Sequence, residues 1–119
     1  MAGEPITIYH NPRCSNSRGA LAILEESGQR FRVVEYVKTP LDANMLRALM
    51  DMLESPPHEM VRAKEPGYRE RGLSKDSSPE ELVSAMAAEP QLMQRPIVVQ
   101  GDRAVIARPP EMLRAWLRG

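Results

Sequence analysis

Residues 6–18, ITIYHNPRCSNSR, place the single cysteine of the chain, Cys14, directly after a short β-branched and aromatic run. Residues 5–9, PITIY, read as a strand closed by the turn signal His10-Asn11-Pro12. Ser15, Asn16 and Ser17 are residue types that cap helices, and a helical pattern follows them. Ala20, Leu21, Ile23 and Leu24 recur at three- and four-residue spacing, and Gly28 suits the left-handed residue that ends a helix. FRVVEY, residues 31–36, reads as a second strand. Strand, helix and strand within about 30 residues make a βαβ unit, expected to be right-handed with parallel strands.

Beyond Thr39-Pro40 the texture becomes helical. Asp42 is placed to cap a helix carrying Met45, Leu46, Leu49, Met50 and Leu53, which Pro56-Pro57 ends. A further helix is expected from near His58 to Arg62, then a loop over residues 64–72. Ser77 or Ser78, with Pro79 and Glu81 behind it, opens a helix running to Ala88, and Pro90 stops it. Ile97-Val98-Val99 and Arg103-Ala104-Val105-Ile106 flank Gln100-Gly101-Asp102 and predict a β-hairpin. Arg108-Pro109-Pro110-Glu111 then opens a last helix with Met112, Leu113, Trp116 and Leu117 on one side. The order βαβ, helical insert, ββα defines an α/β, thioredoxin-like skeleton with a mixed four-stranded sheet. The expectation is one domain over residues 1–119, with the insert at about 41–90.

Whole-chain properties narrow the function. Lysine plus arginine balances aspartate plus glutamate at 16 each, so the chain has no basic excess of the kind nucleic acid selects. Its cations are nevertheless lopsided, 13 arginines against 3 lysines. The arginine fork suits carboxylates, phosphates and similar oxyanions. One cysteine excludes an internal disulfide framework, no secretory signal pattern opens the sequence, and no apolar run reaches bilayer length. A cytoplasmic, soluble monomer is expected, with no membrane or nucleic-acid partner. One cysteine and two separated histidines do not support a metal site, and His58 reads as a surface residue.

Cys14 falls where a strand hands over to a helix, so the unpaired N–H groups and the helix dipole favour a negative charge there. Such a position lowers a thiol pKa from about 8.5 to between roughly 3.5 and 7.5. Arg13, Arg18 and His10 are near in sequence and offer positive charge. Cys14-Ser15-Asn16-Ser17 is Cys-x-x-Ser, so any redox cycle needs an external thiol to resolve the adduct. Cys14 to Arg18 is Cys-x-x-x-Arg, not the longer cradle of tyrosine phosphatases.

HNPRCSNSR, QRPIVV and ARPPEML, taken together, resemble the glutaredoxin-coupled arsenate reductases of the ArsC family, thioredoxin-like proteins. The resemblance runs from about Ile6 to Leu117. It implies a catalytic Cys14, with His10 aiding its ionisation, and an oxyanion clamp of Arg62, Arg95 and Arg108. It also implies arsenate as substrate, glutathione as co-substrate, glutaredoxin as partner and no bound cofactor. Arg95-Pro96 resembles the cis-proline position of thioredoxin folds. The chain ends soon after its last helix, whereas longer family members carry a C-terminal extension, so it resembles the shorter branch; that resemblance implies arsenate as an accepted substrate of this chain and not as the selected one. Two other readings stand beside this one. A glutathione-dependent monothiol oxidoreductase needs only Cys-x-x-Ser and no arginine clamp. A regulator of the related branch that contacts RNA polymerase usually keeps Cys-x-x-Cys and lacks the three arginines.

Overall fold

In a computed structural model, which describes residues 4–119, the run beginning at Ile6 forms strand β1, Ile6–His10. Alternate side chains of a strand face opposite sides, and here Ile6, Ile8 and His10 are buried while Thr7 and Tyr9 are half-buried. Helix α1, Ser15–Ser27, turns Ser17, Ala20, Ile23 and Leu24 inward and ends at Gly28, whose φ of 73° is left-handed. Strand β2, Phe31–Glu35, runs parallel to β1 with Ile8 opposite Val33. Strands β3, Ile97–Gln100, and β4, Arg103–Ile106, form the expected hairpin through Gly101, whose φ is 63°. The sheet order is β2-β1-β3-β4, with β3 antiparallel to β1, so the four-stranded sheet is mixed.

Ile6, Ile8, Ala20, Ile23, Leu24, Val98, Ala107 and Leu113 form one buried cluster between this sheet and its helices. Fully burying a leucine or isoleucine side chain stabilises by about 1.5–3 kcal/mol, so this cluster fixes α1 against β1. The last turn of the chain begins with a 3₁₀ segment, Pro110–Met112, and continues as the short helix at Leu113–Leu117. Arg103 holds that end: its guanidinium lies 4.2 Å from the Trp116 ring centroid and donates to the Trp116 carbonyl at 3.3 Å.

Of the described residues, those up to Tyr36 together with Arg95–Gly119 make one compact unit, and Val37–Gln94 make another. The second unit contains the helical stretch expected at about 41–90. Its first helix, α2, is Ala43–Met52, capped by the Asp42 carboxylate, which accepts from the Met45 N–H at 2.8 Å. A 3₁₀ turn, Pro57–Met60, replaces the helix expected from His58 to Arg62. Residues 64–72 are not a simple loop, because a five-residue helix, α3, spans Pro66–Glu70. Helix α4, Pro79–Ala88, starts in a full capping box: Ser78 Oγ accepts from the Glu81 N–H, and the Glu81 carboxylate accepts from the Ser78 N–H. Leu46, Leu49, Leu82 and Met86 are buried in this unit.

Candidate active site

Helix α1 starts one residue earlier than its polar flank suggests. Cys14 itself is the N-cap residue, with extended φ and ψ of −94° and 125°, and no side chain caps the helix. The Cys14 N–H closes a turn onto the Asn11 carbonyl at 3.0 Å, and Asn11 Oδ1 accepts from the Arg13 N–H at 3.0 Å. An asparagine side chain that bonds the backbone two residues on is a turn former, which explains why Asn11-Pro12 ends β1. The turn delivers the sulfur to the open end of the helix.

That placement sets the charge on the thiol. Burial acts to raise the Cys14 pKa, but hydrogen bonds from the Ser17 and Asn16 N–H groups and from Arg108 outweigh it. The net result is a thiol held below its ordinary value, so the thiolate is favoured. Arg108 Nη1 lies 3.8 Å from Cys14 Sγ and also donates to the Arg95 carbonyl at 2.9 Å. With the Asn16 amide oxygen facing it, the same guanidinium has a second anchor at 3.1 and 3.2 Å. Arg108 is therefore braced from two sides while its side chain stays exposed. The Arg95–Pro96 peptide is cis, as expected, and Arg108–Pro109 is cis as well.

Ser17 has a task that its reading as a cap conceals. Its side chain is fully buried, accepts from the Asn11 N–H at 3.0 Å and shares a hydrogen bond with His10 Nδ1 at 2.6 Å. With one N–H already donated to Ser17 Oγ, its own hydroxyl proton is available to His10 Nδ1. His10 is only 5% exposed, and that burial is the main reason its pKa is lowered. Glu35 pulls the other way and Arg18 adds to the lowering. His10 thus differs from the positive charge suggested by its sequence position: burial favours the neutral ring. It faces Cys14 through Ser17, whose N–H serves the sulfur and whose hydroxyl serves the imidazole.

The structure brings Cys14, His10, Arg95 and Arg108 into one unit. Arg62 belongs to the other. There it follows the bridge between Val61 and Met93, with Nη1 donating to Gln94 Oε1 at 3.1 Å and Nε facing Glu65 at 3.5 Å. His58, expected at the surface, is half-buried, bonded to the Tyr68 hydroxyl at 2.6 Å and edge-on to that ring. Among the described residues, no group of three histidine, cysteine or carboxylate side chains gathers to hold a metal, and no helix is long and apolar enough to cross a membrane. Asn11 and Asn16 read from the sequence as turn and cap residues, and Ser17 as a cap and the last position of Cys-x-x-Ser; the hydrogen bonds each makes at the site are announced by no local pattern.

A cysteine at a helix start with a braced guanidinium beside it, carried on a mixed four-stranded sheet, defines a thioredoxin-like thiol site. The family model for the ArsC family matches residues 9–116, and the chain belongs to that family. It is 47% identical over 112 residues to the uncharacterized protein YfgD of Escherichia coli, covering 92% of this chain and 94% of the relative. An arsenate reductase of Neisseria meningitidis is 40% identical, with 94% of this chain and 97% of that one covered. The solved structure of an arsenate reductase from Vibrio cholerae superimposes with a TM-score of 0.87 at 38% identity, covering 94% of this chain and 97% of that one.

Proposed function

We propose that the chain reduces arsenate to arsenite, with glutathione as co-substrate and glutaredoxin as partner. The observation that carries this reading is the Arg108 guanidinium 3.8 Å from a Cys14 sulfur that also faces two helix N–H groups. An oxyanion entering there meets the nucleophile and its counter-charge together. Family membership and the 40% identical arsenate reductase of Neisseria meningitidis support the choice of arsenate.

In this mechanism the Cys14 thiolate attacks arsenic and a hydroxyl leaves as water, forming a sulfur–arsenic bond with arsenic still pentavalent. Arg108 and Arg95 hold the remaining oxygens, and the family resemblance carries Arg62 as the third arginine. His10, kept neutral and hydrogen-bonded to Ser17, acts as a positioning residue for the α1 start that holds the thiolate. Glutathione displaces a second hydroxyl to give a mixed adduct. A glutaredoxin thiolate then attacks the glutathionyl sulfur, and the electron pair of the arsenic–sulfur bond stays on arsenic, reducing it to the trivalent state. Water releases arsenite and returns Cys14 as thiolate.

The test couples the purified protein to glutathione, glutaredoxin, glutathione reductase and NADPH, with and without arsenate. The expected result is arsenate-dependent NADPH consumption that disappears in Cys14→Ser. Arg108→Ala is expected to lower kcat/KM by roughly 10²–10³, the scale of losing one donor aimed at developing charge. Turnover with thioredoxin alone would reject the glutaredoxin coupling. A folded protein showing no arsenate dependence would move the reading to the monothiol oxidoreductase, or to the regulator.

A further inference from the structure

The oxyanion clamp leaves two cations next to Cys14 without a task. Arg13 immediately precedes it, and Arg18 lies one turn into α1. Both are exposed, and neither makes an ion pair with a carboxylate among the described residues. Arg18 is nevertheless held in place. Helix side chains lean toward the N-terminus, and its Nη1 donates to the Pro12 carbonyl at 2.9 Å, laying the guanidinium over the turn that carries Cys14. One N–H of the fork is used by that bond, and the others remain for a ligand. Arg108, by contrast, is engaged with the sulfur, the Arg95 carbonyl and Asn16.

A cycle with one cysteine must admit a second sulfur to Cys14 while the oxyanion still occupies Arg108. If that sulfur belongs to a small anionic thiol, its carboxylates need cations outside the clamp. We propose that Arg18, with Arg13 beside it, is a carboxylate-binding subsite for an anionic thiol co-substrate such as glutathione. This rests on the reading of Cys14 as a thiol resolved by an external thiol, and it extends that reading to how the co-substrate is recognised. The bound thiol meets Cys14 from the side of the Asn11–Cys14 turn, its carboxylate paired with the Arg18 fork.

The test needs no arsenate. Cys14 thiolate attacks one sulfur of a disulfide, the sulfur–sulfur bond breaks, a mixed disulfide forms on Cys14 and the other half leaves as thiolate. The rates are followed by mass, which is unambiguous because the chain has one cysteine. Oxidised glutathione, which is anionic, is compared with the neutral disulfide of 2-mercaptoethanol on the same protein, so that the thiolate fraction cancels in the ratio of rates. The expected ratio favours oxidised glutathione, falls roughly two- to fivefold in Arg18→Ala, as for loss of one exposed ion pair, falls further in Arg18→Glu and is partly restored in Arg18→Lys.

An unchanged ratio in Arg18→Glu would overturn the subsite. So would equal slowing with both disulfides, which would mean that Arg18 acts on the thiolate itself. A Cys14 that iodoacetamide alkylates but oxidised glutathione does not touch would overturn it too. Loss of arsenate dependence in the coupled assay, with the disulfide ratio intact, would instead strike the arsenate reading and leave the subsite standing.

Discussion

At the residue scale, the chemistry depends on which groups face two others. Arg108 lowers the Cys14 pKa both by hydrogen bonding and by charge. Removing that guanidinium takes away stabilisation of the charged form only, so Arg108→Ala should move the pH midpoint of iodoacetamide alkylation upward. An unmoved midpoint would detach Arg108 from the thiolate. His10 makes the opposite kind of prediction. Its folded pKa lies below the ordinary 6.5 because of burial, so between those values the unfolded chain binds more protons than the folded one. Stability should be full above pH 6.5 and fall as the pH drops from there through the folded pKa. Thermal unfolding midpoints measured across that window should show a steeper fall for the wild type than for His10→Gln. Parallel slopes would mean that the ring does not titrate with folding.

At the element scale, Ser78→Ala should cost about 1 kcal/mol in urea-induced unfolding, the usual value of an N-cap hydroxyl. Glu81→Ala should cost less, because it removes the second half of the box while the Ser78–Glu81 N–H bond remains. A loss below a few tenths of a kcal/mol for Ser78→Ala would show α4 held by its buried face alone. The cap was legible because Ser, Pro and Glu stand at the required offsets around position 78. The start of α1 was not. Three polar residues follow Cys14, and any of them is a good cap in isolation; packing decides by burying Ser17 against His10, which leaves the cysteine at the cap. The helix at Pro66–Glu70 was hidden for another reason: it is one turn long and carries no apolar period, and glycine is one of its five residues. The β1–α1–β2 unit and the hairpin were read correctly to within a residue because strand alternation and a left-handed glycine are local signals. His58 pairing with Tyr68 spans ten residues of the chain, and no local pattern announces it.

At the scale of the whole molecule, the charges cancel at 16 of each sign, so no net charge draws an anion toward the protein from a distance. Attraction to Cys14 has to come from cations nearby, here Arg13, Arg18 and Arg108 on the N-terminal side of α1 and at the entry to the last helix. The field of such exposed cations reaches into solvent over about one Debye length and is therefore shortened by salt. The Debye length falls from about 30 Å at 0.01 M ionic strength to about 8 Å at 0.15 M. Alkylation by iodoacetate, an anion, should therefore slow relative to iodoacetamide, its neutral counterpart, as salt is raised over that range. Both reagents consume the same thiolate, so a change in its ionisation cancels in their ratio. The ratio should vary less with salt in a variant carrying Arg13→Ala and Arg18→Ala, because fewer exposed cations remain to be screened. A ratio insensitive to salt in the wild type would mean that the arginines around Cys14 are already neutralised by their surroundings, and that the bracing of Arg108, not attraction through solvent, governs how an anion reaches the sulfur.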